Sequence, residues 1–154
     1  METIAKQIHT LLIKNKKTVA VAESCTGGYT CMLLTQFPGS SAYFLAGIVA
    51  YHNSSKTKLL GISKEILKKH GAVSAIVARK MAEHIRKTTG ANLSIGITGI
   101  AGPSGATKNK PIGTVFIGLS GKRQIVKRFL LRGTRMDIQK KTALKALQLL
   151  KKII

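Results

Sequence analysis

The stretch Thr18-Val19-Ala20-Val21-Ala22-Glu23-Ser24-Cys25-Thr26-Gly27-Gly28 decides the fold. Its apolar opening reads as a short buried strand, and the polar residues and glycine pair that end it precede a second apolar stretch, Tyr29 to Phe37. The pattern is a strand–turn–helix junction in which Thr26 or a neighbour is predicted to cap the helix.

Upstream, Ile4, Ile8, Leu11 and Leu12 recur at helical spacing and stop at Lys14-Asn15-Lys16-Lys17, an amphipathic helix ending in a basic turn. Downstream, Pro38-Gly39-Ser40-Ser41 breaks the second helix, and Ala42 to Tyr51, rich in aromatic and β-branched residues, reads as a central strand. Helices are expected over Ser54 to Leu60, from a Ser63 cap to His70, and from a Ser74 cap to Thr89, with Gly61, Gly71 and Gly90 as their stops. Leu93 to Thr98 is the next strand and empties into a glycine-rich loop running from Gly99 to Pro111. Ile112 to Leu119 and Gln124 to Leu131 flank Ser120-Gly121-Lys122-Arg123 as a hairpin, and a helix from Arg135 to Lys152 closes the chain. This order predicts one layered α/β domain over residues 1–154, with a sheet partly parallel and partly antiparallel.

Composition narrows the function classes. The 154 residues carry 26 Lys and Arg against 5 Asp and Glu, a formal charge of +21, yet 44% are apolar, enough for one buried core. The longest nearly continuous apolar run, Ala42 to Tyr51, is far short of the roughly 20 residues of a membrane span. Met1-Glu2-Thr3-Ile4-Ala5-Lys6 is amphipathic and lacks the layout of a signal peptide, so a cytoplasmic protein is expected. Cys25 and Cys31 fit neither a redox pair nor a zinc site, and His9, His52, His70 and His84 show no ligand spacing, so no metal or other cofactor is expected. The acids Glu2, Glu23, Glu65, Glu83 and Asp137 are scattered, which leaves no pair for two-carboxylate chemistry. The positive excess favours any polyanion without specifying one.

Ligands of open α/β sheets bind beyond the carboxyl ends of strands, and three segments qualify: Glu23 to Gly28, Tyr51 to Lys56, and Thr98 to Gly105. The first offers Ser24 and Cys25 as nucleophiles beside amides fit for an oxyanion; its plainer reading is a capping turn. The second offers Lys56 as a base, in the manner of Ser-Lys pairs, although in so basic a chain a given lysine is more often solvated surface. Glu23 is read either as a ligand or ion-pair partner of Lys56, or as a carboxylate at a helix N-terminus. The loop after Thr98 lacks the P-loop pattern but can cradle an anion with its backbone.

Taken together, Val19-Ala-Val-Ala-Glu-Ser-Cys-Thr-Gly-Gly28, Gly47-Ile-Val-Ala-Tyr51-His-Asn53-Ser-Ser-Lys56, His70-Gly-Ala-Val-Ser74 and Thr98-Gly-Ile-Ala-Gly-Pro103 with Lys110-Pro-Ile-Gly-Thr-Val115 resemble the CinA C-terminal domain family. The resemblance runs in order along essentially the whole chain. It implies a three-layer α/β/α sandwich, a homodimer, and hydrolysis of the carboxamide of nicotinamide mononucleotide to nicotinate mononucleotide and ammonia, in pyridine-nucleotide salvage. It puts the nucleophile on Ser24, a tyrosine on Tyr51 and the base on Lys56. Substrate contacts then fall on Ser41, Thr98 and Arg135, with Glu23, Thr26, Gly27, Gly28 and Gly99 around them. In the corresponding mechanism Tyr51 hydrogen-bonds within the Ser24–Lys56 pair, and the basic surroundings keep Lys56 neutral.

Two other classes compete with this reading. One is a nucleic-acid-binding module, suggested by the charge and the basic last helix, against which stand dispersed basic pairs and scarce aromatics. The other is the same fold acting on a different amide, or on none. On the amidase reading nucleic acid binds only non-specifically, through charge.

Overall fold

The computed structural model describes residues 3–154; Met1 and Glu2, the start of the amphipathic opening, lie outside it. Its elements are α1 (Ile4–Lys14), β1 (Val19–Glu23), α2 (Tyr29–Thr35), a short 3-10 turn at Ser40–Ala42, β2 (Phe44–Val49), α3 (Asn53–Leu60), α4 (Lys64–His70), α5 (Ala75–Thr89), β3 (Leu93–Gly99), β4 (Thr114–Ser120), β5 (Gln124–Leu130) and α6 (Arg135–Lys151). The strands form one sheet in the order β2-β1-β3-β4-β5. β1 lies parallel to both β2 and β3, and the β3–β4 and β4–β5 pairs are antiparallel. The mixed sheet is therefore as expected. One position is not: β2 is an edge strand, its exposure alternating residue by residue. Aromatic and β-branched content measures fitness for a pleated, half-buried surface and does not report a strand's place in the order.

Period-two alternation sorts the strand residues onto two faces. Val19, Val21, Ile95, Ile97, Val115, Ile117 and Leu119 share a core with Ile8 and Leu12 of α1, Leu34 of α2 and Ile138, Leu147 and Leu150 of α6. Ala20 and Ala22 turn the other way, into a second core with Leu60 of α3 and Val77, Met81 and Ile85 of α5. Helices thus cover both faces, the three-layer arrangement. The second face is built from small side chains because α5 lies very close to the strands. A Cβ on Gly96 would fall 2.2 Å from the Ala78 carbonyl oxygen and 2.5 Å from the Ala82 nitrogen, and one on Gly118 would fall 2.6 Å from the same Ala78 oxygen. Gly96 and Gly118 are cross-strand partners, so together they form the flat seat of the helix. Ser94, on the same face, donates to the Ala82 carbonyl at 2.6 Å.

Gly96→Ala forces α5 off this seat, because the obstructing atoms are backbone and cannot rotate away. The variant is expected to lose about 3 kcal/mol or more of stability, at the upper end for overpacked cores. Urea unfolding of wild type and variant measures it.

Candidate active site

Because β2, β1 and β3 are parallel, their carboxyl ends open on the same side of the molecule. The chain leaves β1 through α2 to reach β2 on one flank, and returns through α3, α4 and α5 to reach β3 on the other. β1 is therefore the switch point at which a crevice forms in an open α/β sheet. A cleft of about 270 Å³ lies there, with Ser24 from the end of β1, Tyr51 from the end of β2, and Thr98 and Gly99 from the end of β3 in its walls.

Lys56 reaches the same cleft from α3. That helix starts directly after β2, where the His52 ring nitrogen accepts from the Ser54 amide at 3.2 Å as an N-cap, and Lys56 lies within its first turns. Its side chain is only 2% exposed. The Lys56 Nζ lies 3.0 Å from Ser24 Oγ, 2.9 Å from the Ala50 carbonyl oxygen and 3.2 Å from that of Tyr51. Two of these partners are carbonyls and can only accept. They take both N–H bonds of a neutral amine and leave its lone pair for the Ser24 hydroxyl proton. Burial lowers the Lys56 pKa from the ordinary lysine value of 10.5. Desolvation is thus the main cause, and not the basic surroundings that the sequence suggested.

Cys25, the rival nucleophile, also lines the cleft, but burial first and the Glu23 carboxylate second push its thiol up to about 12. At neutral pH it is a thiol and a poor nucleophile. Beside Ser24, the amides of Cys25 and Thr26 make no hydrogen bond to a carbonyl or carboxylate among the described residues.

Several expected contacts are relocated. The Tyr51 phenol does not join the Ser24–Lys56 pair: it accepts from the Arg135 guanidinium, and only the Tyr51 main chain meets Lys56. Glu23 is fully buried and forms no ion pair with Lys56; among the described residues the one ion pair joins Arg79 and Glu83. Its carboxylate accepts from the Thr26 hydroxyl, from the Thr30 amide at 3.2 Å and from the Cys31 amide at 3.1 Å. It ties the end of β1 to the first turn of α2, the helix-terminal alternative of the sequence reading. Thr26 consequently caps nothing; Gly28, at φ 100°, holds the N-cap position. The Gly27 amide is spent on the Ser24 carbonyl at 3.0 Å. Glu23, Thr26, Gly27 and Gly28 are not among the residues that line the cleft. Ser41 precedes the amino end of β2, so it sits about 20 Å of strand away from the cleft of its own chain.

The remaining expectations converge. Thr98 is 1% exposed and donates to the Ala72 carbonyl at 2.8 Å, fixing the wall that leads into α5. Arg135 opens α6, where a Thr134–Asp137 capping box sets the helix start, and donates to the Gly102 carbonyl at 2.6 Å. It therefore spans the mouth from the Tyr51 side to the glycine-rich loop. Asn53 also lines the cleft and was missed; the signal for it was its place at the first turn of a helix that follows a strand end.

A buried lysine makes stability depend on pH in a fixed direction. Its folded pKa lies below 10.5, so between the two values the unfolded chain binds more protons and stability rises with pH. Lys56→Met removes this contribution. Wild-type stability relative to the variant is expected to be flat below the folded pKa and to climb as pH rises toward 10.5, measured by chemical denaturation across that range.

The CinA C-terminal domain model matches residues 1–154. A CinA-like protein of Endomicrobium trichonymphae is 46% identical over 152 residues, covering 98% of this chain and 36% of that protein. One from Thermotoga maritima is 44% identical over 153 residues, covering 99% of this chain and 38% of its own length. The chain thus spans little more than a third of these curated relatives. Among solved structures, the competence/damage inducible protein CihA of Agrobacterium tumefaciens superposes with a TM-score of 0.94 at 34% identity, covering 97% of this chain and 93% of that one. A CinA superfamily protein of Escherichia coli gives 0.92 at 29% identity, covering 99% and 91% respectively. With the fold, the sequence and the family model in agreement over its whole length, the chain belongs to the CinA C-terminal domain family.

Proposed function

We propose that this chain is an amidase that hydrolyses the carboxamide of nicotinamide mononucleotide, using Ser24 as nucleophile and Lys56 as base. The observation that carries the reading is the 3.0 Å contact between Lys56 Nζ and Ser24 Oγ, with the other Lys56 hydrogen bonds directed at two carbonyls. The nucleotide substrate is what the family resemblance implies, and the position of Arg135 at the cleft mouth suits its phosphate.

In the first half-reaction Ser24 Oγ bonds to the carboxamide carbon while its proton passes to the Lys56 amine. The oxyanion that forms is stabilised by main-chain amides beside Ser24, that of Cys25 lying in the cleft wall; one such donor is worth about 3–4 kcal/mol. Collapse breaks the C–N bond, and Lys56 returns the proton to the departing nitrogen, which leaves as ammonia. In the second half, water attacks the acyl-serine and gives a proton to Lys56. The C–O bond to Ser24 breaks, Ser24 regains that proton, and nicotinate mononucleotide leaves as the carboxylic acid, which ionises by giving its remaining proton to solvent or to the released ammonia. The Tyr51 phenol serves the far side of the site, holding Arg135 toward the phosphate.

Ammonia release from nicotinamide mononucleotide tests this directly. Ser24→Ala is expected to abolish turnover and Lys56→Arg, which cannot lose its proton, to reduce it by about 10²–10⁴-fold, whereas Cys25→Ala stays within about tenfold of wild type. Loss confined to Cys25→Ala would reject the assignment. Since the neutral amine is the active form, kcat/KM rises with pH through a single ionisation below the ordinary lysine value of 10.5.

Arg135→Gln separates the phosphate from the amide. It is expected to raise KM for nicotinamide mononucleotide by at least about tenfold and to leave the weaker turnover of the riboside, which has no phosphate, nearly unchanged. Equal losses on both substrates would place Arg135 elsewhere in the reaction.

A further inference from the structure

α6 does more than deliver Arg135 to the cleft mouth. One turn further along the helix, Gln139 is half-buried, and its side-chain amide donates to the Cys25 carbonyl at 3.0 Å. Arg135 and Gln139 are four residues apart and so share one helix face. From that face α6 reaches all three strand ends. Gln139 meets the turn after β1, and Arg135 meets Tyr51 after β2 and the Gly102 carbonyl after β3. The Thr134–Asp137 capping box fixes the helix start from which both side chains project.

The carbonyl that Gln139 holds belongs to the softest part of the nucleophile turn. The Gly27 amide donates to the Ser24 carbonyl at 3.0 Å, which closes a β-turn over residues 24–27. Cys25 and Thr26 are its central residues, and rotation of the peptide between them is the motion that a closing hydrogen bond leaves free. No main-chain amide donates to the Cys25 carbonyl among the described residues. The chain then continues through Gly27 and Gly28, at φ 60° and 100°, with no side chains to restrain it. Glu23 grips the Thr26 hydroxyl and two amides of α2, which leaves the central peptide to Gln139. A planar peptide sets its N–H opposite its carbonyl. Holding the Ser24 and Cys25 carbonyls therefore fixes the main chain on both sides of Cys25, the residue whose amide follows Ser24 in the cleft wall.

We infer that Gln139 is a positioning residue for the proposed hydrolysis, holding the turn in the form in which Ser24 Oγ and the Cys25 amide face one carboxamide. The inference rests on Ser24 being the nucleophile. Gln139 is absent from the cleft wall, so it acts through the turn and not on the substrate. Its loss is felt in the rate of bond-making and not in capture, because a displacement of about 1 Å at a reacting group costs on the order of 100-fold. Arg135, four residues earlier on the same face, has the opposite signature, since its role at the mouth is to bind. A plain packing role for Gln139, at the edge of the stripe that α6 buries through Ile138, Thr142 and Ala143, predicts neither pattern.

Two variants separate hydrogen bonding from packing. Gln139→Leu keeps the bulk and removes the donor, whereas Gln139→Lys alters the shape and keeps an N–H donor on a chain long enough to reach the same carbonyl. With nicotinamide mononucleotide, Gln139→Leu is expected to lower kcat by about 10–100-fold and to leave KM within about twofold, and Gln139→Lys to recover most of the loss. The rate at which a fluorophosphonate labels Ser24, which needs no carboxamide, is expected to fall and recover in parallel. Unchanged kcat and labelling in Gln139→Leu, a change confined to KM, or a loss that Lys suffers and Leu escapes overturns the role of Gln139 and leaves Ser24 as nucleophile. Wild-type labelling at Ser24 without ammonia release rejects the carboxamide substrate alone, and the labelling rates of the two variants then decide for or against Gln139. A wild type that neither labels nor turns over removes the nucleophile, and the inference with it.

Discussion

Everything at the carboxyl end of the sheet depends on burying one amine. A lysine taken out of water without a carboxylate partner resists protonation, and the fold holds Lys56 in that condition with two main-chain carbonyls and a serine. The carbonyls come from Ala50 and Tyr51, where β2 gives way to α3, so the path of the backbone at one strand end sets the direction of the Lys56 amine. Ser24 is delivered by the adjacent strand, and the parallel pairing of β1 with β2 puts the two strand ends in register. The close seat of α5 on Gly96 and Gly118 sets the depth of the layer beneath them.

Much of this was readable from the residues. Helical periodicity marked α1, serine caps marked α4 and α5, and the junction at Glu23 to Gly28 pointed to a site at the end of a buried strand. Ser24, Lys56, Thr98 and Arg135 stand together in the cleft as the motifs suggested. What could not be read was direction. A motif says that Tyr51 is near the pair, but whether its phenol or its carbonyl meets Lys56 depends on a side-chain torsion that local sequence does not encode. Glu23 shows the same limit. Its use as a clamp on α2 depends on the amides of Thr30 and Cys31 turning back toward the strand end, a feature of the turn's three-dimensional path.

The charge excess takes on a different meaning once it is placed. In composition it suggested a polyanion partner. Along the chain it is uneven, absent between Lys17 and Lys56 and dense in the segments that follow. Uneven distribution carries information that the net value does not, since a solvated cation adds little to stability but decides what can approach.

The absence of a carboxylate from the Ser24–Lys56 pair has one more consequence. The Ser24–Lys56 contact holds no ion pair for dissolved salt to screen, whereas on the proposed reading a phosphorylated substrate approaching so cationic a surface is drawn in by a field that salt weakens. On that reading ionic strength acts on capture and leaves bond-making nearly untouched: the ionic composition of the surroundings registers as a change in apparent affinity, with the proposed chemical step insulated beneath the surface.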